Sequence, residues 1–213
     1  SSTVTPEQLA AATIIFGWPR PEVMKGAVSL KWFQTMWAGT DEYTNMLPEG
    51  ILFTSSSGSN SRSVAEHMLT SLLAVCRRLP TYLDSQRAHV WKDEGPMKTI
   101  LGGTVLVLGA GHVGADFARL CQGLGARTIG LKRTASGPIE GFDQVRTMDE
   151  LDALLPQADV VALALPHSPQ TVRLMNRGRI ARMKDDAILI NAGRGSVLDQ
   201  DALVEAMRAG RLW

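Results

Sequence analysis

From residue 101 onward the chain alternates between two hydrophobic rhythms. Thr104-Val105-Leu106-Val107-Leu108 is a continuous apolar run, as expected for a strand covered on both faces. A helix is predicted from the following turn through about Gly123, and a strand over residues 127–131. Residues 148–155 read as a helix with Thr147 as its cap, and residues 159–165 as another almost wholly apolar strand. A helix over 177–183, a strand over 187–191 and a helix over 200–209 complete the pattern. Strand and helix in steady alternation predict an α/β fold, a doubly wound parallel (Rossmann) sheet.

The first sixty residues are more mixed. Residues 6–12 read as a short helix, with Thr5 as N-cap and Pro6 in the first turn. Short strands are predicted at 13–16, 30–35 and 51–54, separated by helical segments; α/β is favoured here too. Residues 63–79 predict a long helix. Ser63 and Glu66 have capping-box spacing, Met68, Leu69, Leu72, Leu73 and Cys76 form an apolar stripe, and Pro80 stops it. A linker carrying Trp91 follows. The expected organisation is residues 1–60 as part of one domain and residues 61–213 as a second.

Composition narrows the classes. The 213 residues are 45% hydrophobic and 20% charged, with a net charge of +1. No strong field points to nucleic acid or an anionic membrane, and no uninterrupted apolar run is long enough to span a bilayer. Cys76 and Cys121 each fall in an apolar, helix-like run, which predicts two buried, reduced thiols. The start of the chain lacks a basic segment followed by an apolar one, so a cytoplasmic protein is expected.

The chemistry begins at Gly109-Ala110-Gly111-His112-Val113-Gly114. A lone Gly-x-Gly-x-x-Gly is weak, but here an apolar strand precedes it and a helix follows. Gly109 permits the tight turn, Gly111 lets a pyrophosphate approach the backbone, and Gly114 lets the helix lie close to the strand. The helix N-terminus then holds the phosphates. NAD sites place an Asp or Glu about 20 positions beyond the turn, for the ribose 2′-hydroxyl. That place holds Lys132, followed by Arg133 and Thr134, and no carboxylate lies between Asp116 and Glu140. Two cations and a hydroxyl suit a 2′-phosphate, so NADP(H) is expected over NAD. The missing acid also weakens an S-adenosylmethionine methyltransferase reading. A third motif, Asn191-Ala192-Gly193-Arg194-Gly195, puts an arginine between glycines just after an apolar strand. Such a guanidinium can grip a carboxylate through two parallel hydrogen bonds.

With these motifs in place, the chain resembles the D-isomer-specific 2-hydroxyacid dehydrogenase family. The likeness is carried by Trp37-Ala38-Gly39-Thr40-Asp41, Val64-Ala65-Glu66-His67, the Gly109–Gly114 turn, Leu165-Pro166-His167-Ser168-Pro169-Gln170-Thr171 and the Asn191–Gly195 stretch. It extends over nearly the whole chain, and Lys132-Arg133-Thr134 resembles the NADP-preferring glyoxylate and hydroxypyruvate reductases. The resemblance implies a substrate domain of flavodoxin type in residues 1–60. It implies hydride transfer between NADP(H) and a small 2-oxo acid or D-2-hydroxy acid, and a homodimer that uses the 63–79 helix and the Trp91 linker.

It also implies residue roles. Arg194 binds the substrate carboxylate and polarises its 2-oxo group, and Ala38 and Gly39 offer backbone N–H groups to the same carboxylate. His112 and Val113 contact the pyrophosphate. Leu165 and Pro166 line the adenosine side, and Ala192, Gly193 and Arg194 approach the nicotinamide. His67 is expected to be structural; His167 and Ser168 can reach the cofactor ribose or phosphate. The family's acid/base histidine and its glutamate lie well after the arginine motif, and no residue here matches them, so the chain resembles an interior portion of such an enzyme. The alternatives are a non-catalytic NAD(P)-sensing protein of the same fold, or a formate- or phosphite-type dehydrogenase. No metal site is expected.

Overall fold

The computed structural model describes residues 4–44, 46–134 and 137–213; part of the N-terminal stretch read above for a leader, residues 1–3, lies outside them. The chain divides into two compact units, Ser1–Asn60 and Ser61–Trp213.

In the first unit, α1 (Pro6–Ala11) starts as its sequence dictates. Thr5 caps the Gln8 N–H, and the Gln8 side chain returns the bond to the Thr5 N–H. Strands β1 (Ile14–Gly17), β2 (Trp32–Thr35) and β3 (Leu52–Thr54) form a parallel sheet in that order. The short helix α2 (Pro21–Met24) lies between β1 and β2. The register aligns Ile15, Phe33 and Phe53 on one face, over a core of Met24, Ala27, Leu30 and Tyr43. Phe53 stacks on Phe33 at 5.2 Å, and Tyr43 meets the Phe33 ring edge-on at 4.8 Å.

The second unit is a five-stranded parallel sheet. Its strands are β4 (Thr104–Leu108), β5 (Arg127–Lys132), β6 (Gln144–Thr147), β7 (Val160–Leu163) and β8 (Ile188–Asn191), in the order β6-β5-β4-β7-β8. The period of two sorts the apolar run of β4. Val105 and Val107 pack with α3 (Ser61–Cys76) and α5 (His112–Gly123), while Leu106 and Leu108 face the opposite cluster. That cluster takes α7 (Arg177–Arg182) and α8 (Gln200–Arg208), with α6 (Leu151–Leu154). Both faces are covered, so each buried Val or Leu contributes about 1.5–3 kcal/mol relative to exposure.

Three local readings change. The long helix starts at Ser61, two residues before its expected cap, and Glu66 pairs with Arg62 at 3.3 Å instead of reaching back to a cap. It ends at Cys76. Arg78 turns left-handed (φ 51°), and a separate α4 (Leu79–Arg87) begins with Pro80 in its first turn. Proline lacks the N–H that a first turn leaves unused anyway, so here it opens a helix and does not close one. Second, residues 148–157 break into 3₁₀ turns around the four-residue α6, and Thr147 makes no side-chain cap bond. Third, β6 was not predicted. It is a polar, half-exposed edge strand with no apolar run to betray it.

Candidate functional site

The chain leaves β4 toward β5 on one side and later enters β7 and β8 on the other. The crevice beyond the carboxyl ends of β4 and β7 is therefore the topological switch point, where open α/β sheets bind ligands. The predicted glycine turn lies there. Gly109 has φ 104°, and its N–H and that of Ala110 both donate to the Leu131 carbonyl at 3.0 Å, tying the turn to β5. A Cβ on Gly109 would stand 2.5 Å from the Ala164 carbonyl oxygen, and one on Gly114 would collide with the Gly109 carbonyl. Gly111 differs: a Cβ there meets nothing within 4 Å. Gly111 is the N-cap of α5 and supplies no side-chain cap. Among the described residues no acceptor takes the N–H groups of His112 and Val113. The result is an open cradle lined by helix N–H groups, the arrangement that attracts anions.

The neighbouring strand ends carry the remaining groups. Lys132 is the half-buried last residue of β5, and Arg133 and Thr134 stand exposed just beyond it. The unforeseen β6 brings Thr147 level with Lys132. Its place could have been suspected from the Gln144-Val145-Arg146-Thr147 alternation. After β7, Leu165 is buried and Pro166 exposed. Thr171 Oγ1 donates to the Pro166 carbonyl at 2.7 Å and accepts from the Ser168 N–H at 2.9 Å.

Beyond β8, Ala192 N–H donates to the Leu163 carbonyl at 2.9 Å. Gly193 lies so close to Leu165 that a Cβ would be 2.5 Å from its carbonyl oxygen; its missing side chain serves this packing. Arg194 is exposed, with extended backbone (φ −119°, ψ 142°). Asn191 Oδ1 accepts from the Gly193 N–H at 3.0 Å, and its Nδ2 donates to the Arg194 carbonyl at 3.1 Å. His167 Nδ1 and Ser196 Oγ share a hydrogen bond at 2.9 Å. Asn191 and Ser196 position this loop, and no sequence signal marks either for that role.

In the first unit, Ala38 and Gly39 follow β2, after Trp37, whose carbonyl accepts from the Ser56 N–H at 3.1 Å. Among the described residues nothing accepts from the Ala38 or Gly39 N–H. His67 is exposed on α3. At the other end of α5's first turns, the Ser61 hydroxyl donates to Asp116 at 2.5 Å, which holds that carboxyl below the ordinary value, with Arg119 adding to the effect. Cys76 and Cys121 are free and buried, and burial pushes the Cys121 thiol up to about 12. Among the described residues no group of three or more His, Cys, Asp or Glu could hold a metal, and no helix is long and apolar enough to cross a membrane.

Comparison with known proteins agrees with this architecture. Residues 69–213 match the family described as D-isomer specific 2-hydroxyacid dehydrogenase, NAD binding domain. The D-3-phosphoglycerate dehydrogenase of Haemophilus influenzae is 37% identical over 155 residues, 72% of this chain and 37% of that protein. The chain thus spans well under half the length of this relative. A D-isomer specific 2-hydroxyacid dehydrogenase family protein of Aeromonas salmonicida superposes with a TM-score of 0.87 at 30% identity, over 97% of this chain and 67% of that one. The NADPH-dependent glyoxylate/hydroxypyruvate reductase of Sinorhizobium meliloti, in complex with NADP and sulfate, gives 0.82 at 25% identity, over 95% and 66%.

Proposed function

Because this chain belongs to the D-isomer specific 2-hydroxyacid dehydrogenase family, we propose that the protein reduces small 2-oxo acids to D-2-hydroxy acids, glyoxylate or hydroxypyruvate foremost, with NADP(H) preferred over NAD(H). The observation that carries the reading is one sheet edge. It holds an open, glycine-lined helix N-terminus flanked by Lys132 and Arg133 on one side and Arg194 on the other.

The N–H groups of His112 and Val113 take the pyrophosphate, where the open space at Gly111 admits it. Lys132, Arg133 and Thr134 meet the 2′-phosphate; a carboxylate in their place would repel it. Leu165 and Pro166 line the adenosine, and the backbone of Ala192, Gly193 and Arg194 faces the nicotinamide. A bound nicotinamide supplies or takes the hydride. Arg194 pairs with the substrate carboxylate and stabilises negative charge as it grows on the 2-oxo oxygen; the proton that completes the hydroxyl would come from the family's acid/base histidine, which no residue of this sequence matches. In the first unit, the N–H groups of Ala38 and Gly39 serve a carboxylate of the same kind. The likeness to a reductase described as NADPH-dependent supports the cofactor and substrate class.

A homodimer is part of the proposal. Trp91 is 102% exposed and Val90 49%, an apolar projection of the sort that partner subunits cover. A cytoplasmic setting is supported by two buried, unpaired thiols.

Titration with NADPH and NADH, followed by NADPH oxidation assays with glyoxylate, hydroxypyruvate and pyruvate, tests the reading. Tighter binding of NADPH and sustained turnover support it. Cofactor binding without turnover of any 2-oxo acid would favour a sensor of the same fold.

A further inference from the structure

The arginine loop is held from one side chain. Asn191, the last residue of β8, bonds to the main chain two and three residues ahead, accepting from the Gly193 N–H at 3.0 Å and donating to the Arg194 carbonyl at 3.1 Å. These partners leave no ambiguity in the amide: the N–H needs the oxygen and the carbonyl needs the NH₂. The two bonded groups belong to the peptides on either side of Gly193–Arg194, so Asn191 tethers this two-residue segment at both ends.

The surroundings leave this loop one position. Gly193 lies against Leu165 with no room for a Cβ. Val197 N–H donates to the same Arg194 carbonyl at 3.1 Å, and Arg173 N–H donates to the Ser196 carbonyl at 2.7 Å. The His167–Ser196 bond closes the far end. The loops after β7 and β8 are therefore tied to each other, and Asn191 tethers the segment that carries the Arg194 side chain.

Asn191 is itself exposed. An exposed side chain bonded to exposed backbone adds little to folding, because water replaces those bonds at small cost. Its value is geometric.

We infer that Asn191 is a positioning residue for Arg194: it holds the Gly193–Arg194 segment at both ends so that the guanidinium is presented to a 2-oxo acid carboxylate. The ligand half of this statement rests on the function proposed above; the loop half does not. Neither Ala nor Asp can do both tasks. Asn191→Asp keeps the acceptor for Gly193 N–H and loses the donor to Arg194.

Two measurements on the protein separate the halves. The first is amide hydrogen exchange across residues 192–197, without ligand. Asn191→Ala should speed it on the order of tenfold, with residues 104–108 unchanged and Asn191→Asp intermediate. Unaltered exchange overturns the inference, as does acceleration spread evenly over the unit. The second is binding of oxamate, a non-reducible 2-oxo acid mimic, at saturating NADPH. Asn191→Ala should weaken oxamate by roughly tenfold or more while NADPH affinity stays within about twofold. Equal loss of both ligands points to general loop collapse and also overturns it. If the loop loosens as expected but the unaltered protein binds no oxamate, the positioning of the loop stands and the 2-oxo acid reading fails.

Discussion

The two edges of the five-stranded sheet are built from the same strands and treat their polar groups in opposite ways. At the amino edge of β4 and β7, Asp159 accepts from the Thr104 N–H at 2.8 Å and pairs with Lys184 at 2.5 Å. Lys98 bonds to the Asp186 carbonyl and lies over the Trp213 ring, which also carries Arg78. A cavity of about 350 Å³ opens here, over Cys76, Ile100, Val105 and Ile188, yet the charged groups on its rim already have protein partners. At the carboxyl edge the N–H groups of His112 and Val113 have none among the described residues, and Gly111 faces open space. The volume of a cavity is thus a poor guide to chemistry. An edge that satisfies its own polar groups contributes stability; one that leaves donors converging on open space is ready for an anion.

The sharpest way to break this comparison is Arg194→Ala. On the proposed function it lowers kcat/KM for the 2-oxo acid by about 10³-fold, the scale of losing a charge-stabilising group. Near-normal turnover would remove Arg194 from the site. Next come the glycines. Gly114→Ala drives a methyl into the Gly109 carbonyl and should cost about 1–3 kcal/mol of stability, the range for overpacking. Gly111→Ala has free space, so its melting temperature should hold while NADPH affinity falls. Matching stability losses in the two variants would sink the cradle.

Replacing Lys132 and Arg133 with Ser should weaken NADPH by about 10- to 100-fold, a few kcal/mol of charge-assisted bonding, and leave NADH nearly unchanged. Parallel losses for both cofactors would show that the pair does not read the 2′-phosphate.

The smallest effect belongs to the amino edge. Asp159→Asn should cost about 1 kcal/mol, since the pair is partly exposed, without altering cofactor affinity. Burial pushes the Asp159 carboxyl up, but Lys184 and the Thr104 N–H outweigh it, so its folded value lies below the ordinary one. A depressed carboxylate stabilises the fold above its unfolded pKa of about 4, and that contribution is lost as pH falls from there through the folded value. Urea unfolding at acidic pH should show a shallower acid decline in Asp159→Asn than in the parent. Identical curves would mean that this carboxylate is not linked to folding.

Much of the carboxyl edge was legible beforehand because its requirements are local. A turn that needs φ 104° at Gly109 and no Cβ at Gly114 writes its glycines into the sequence. The alternation of β4 between two cores leaves an unbroken apolar run. The capping of α1 by Thr5, as read from the sequence, is likewise settled within four residues. The misreadings arose where a local signal had more than one use. Pro80 ends a helix or begins one, and only the left-handed turn at Arg78 decides which. Ser63 has the spacing of a cap, but the helix had already begun at Ser61, whose hydroxyl is engaged with Asp116 on α5. Strand β6 is held by ladder bonds to β5 and by one half-buried valine, Val145, too little to write an apolar signature into an edge strand.

The identity and order of the chemical groups are written in the chain: the glycine turn, the cations at 132 and 133, the arginine between glycines, and the strand-helix alternation that carries them. Each follows from rules acting over a few residues. Tertiary structure decided which groups are neighbours. It put β8 beside β7, so that Leu165 meets Gly193 and His167 meets Ser196 across 28 and 29 positions of chain. It also turned Asn191 from the end of a strand into the clamp on Arg194. Those contacts depend on strand order and on the distance of closest approach between backbones, quantities that no window of sequence contains.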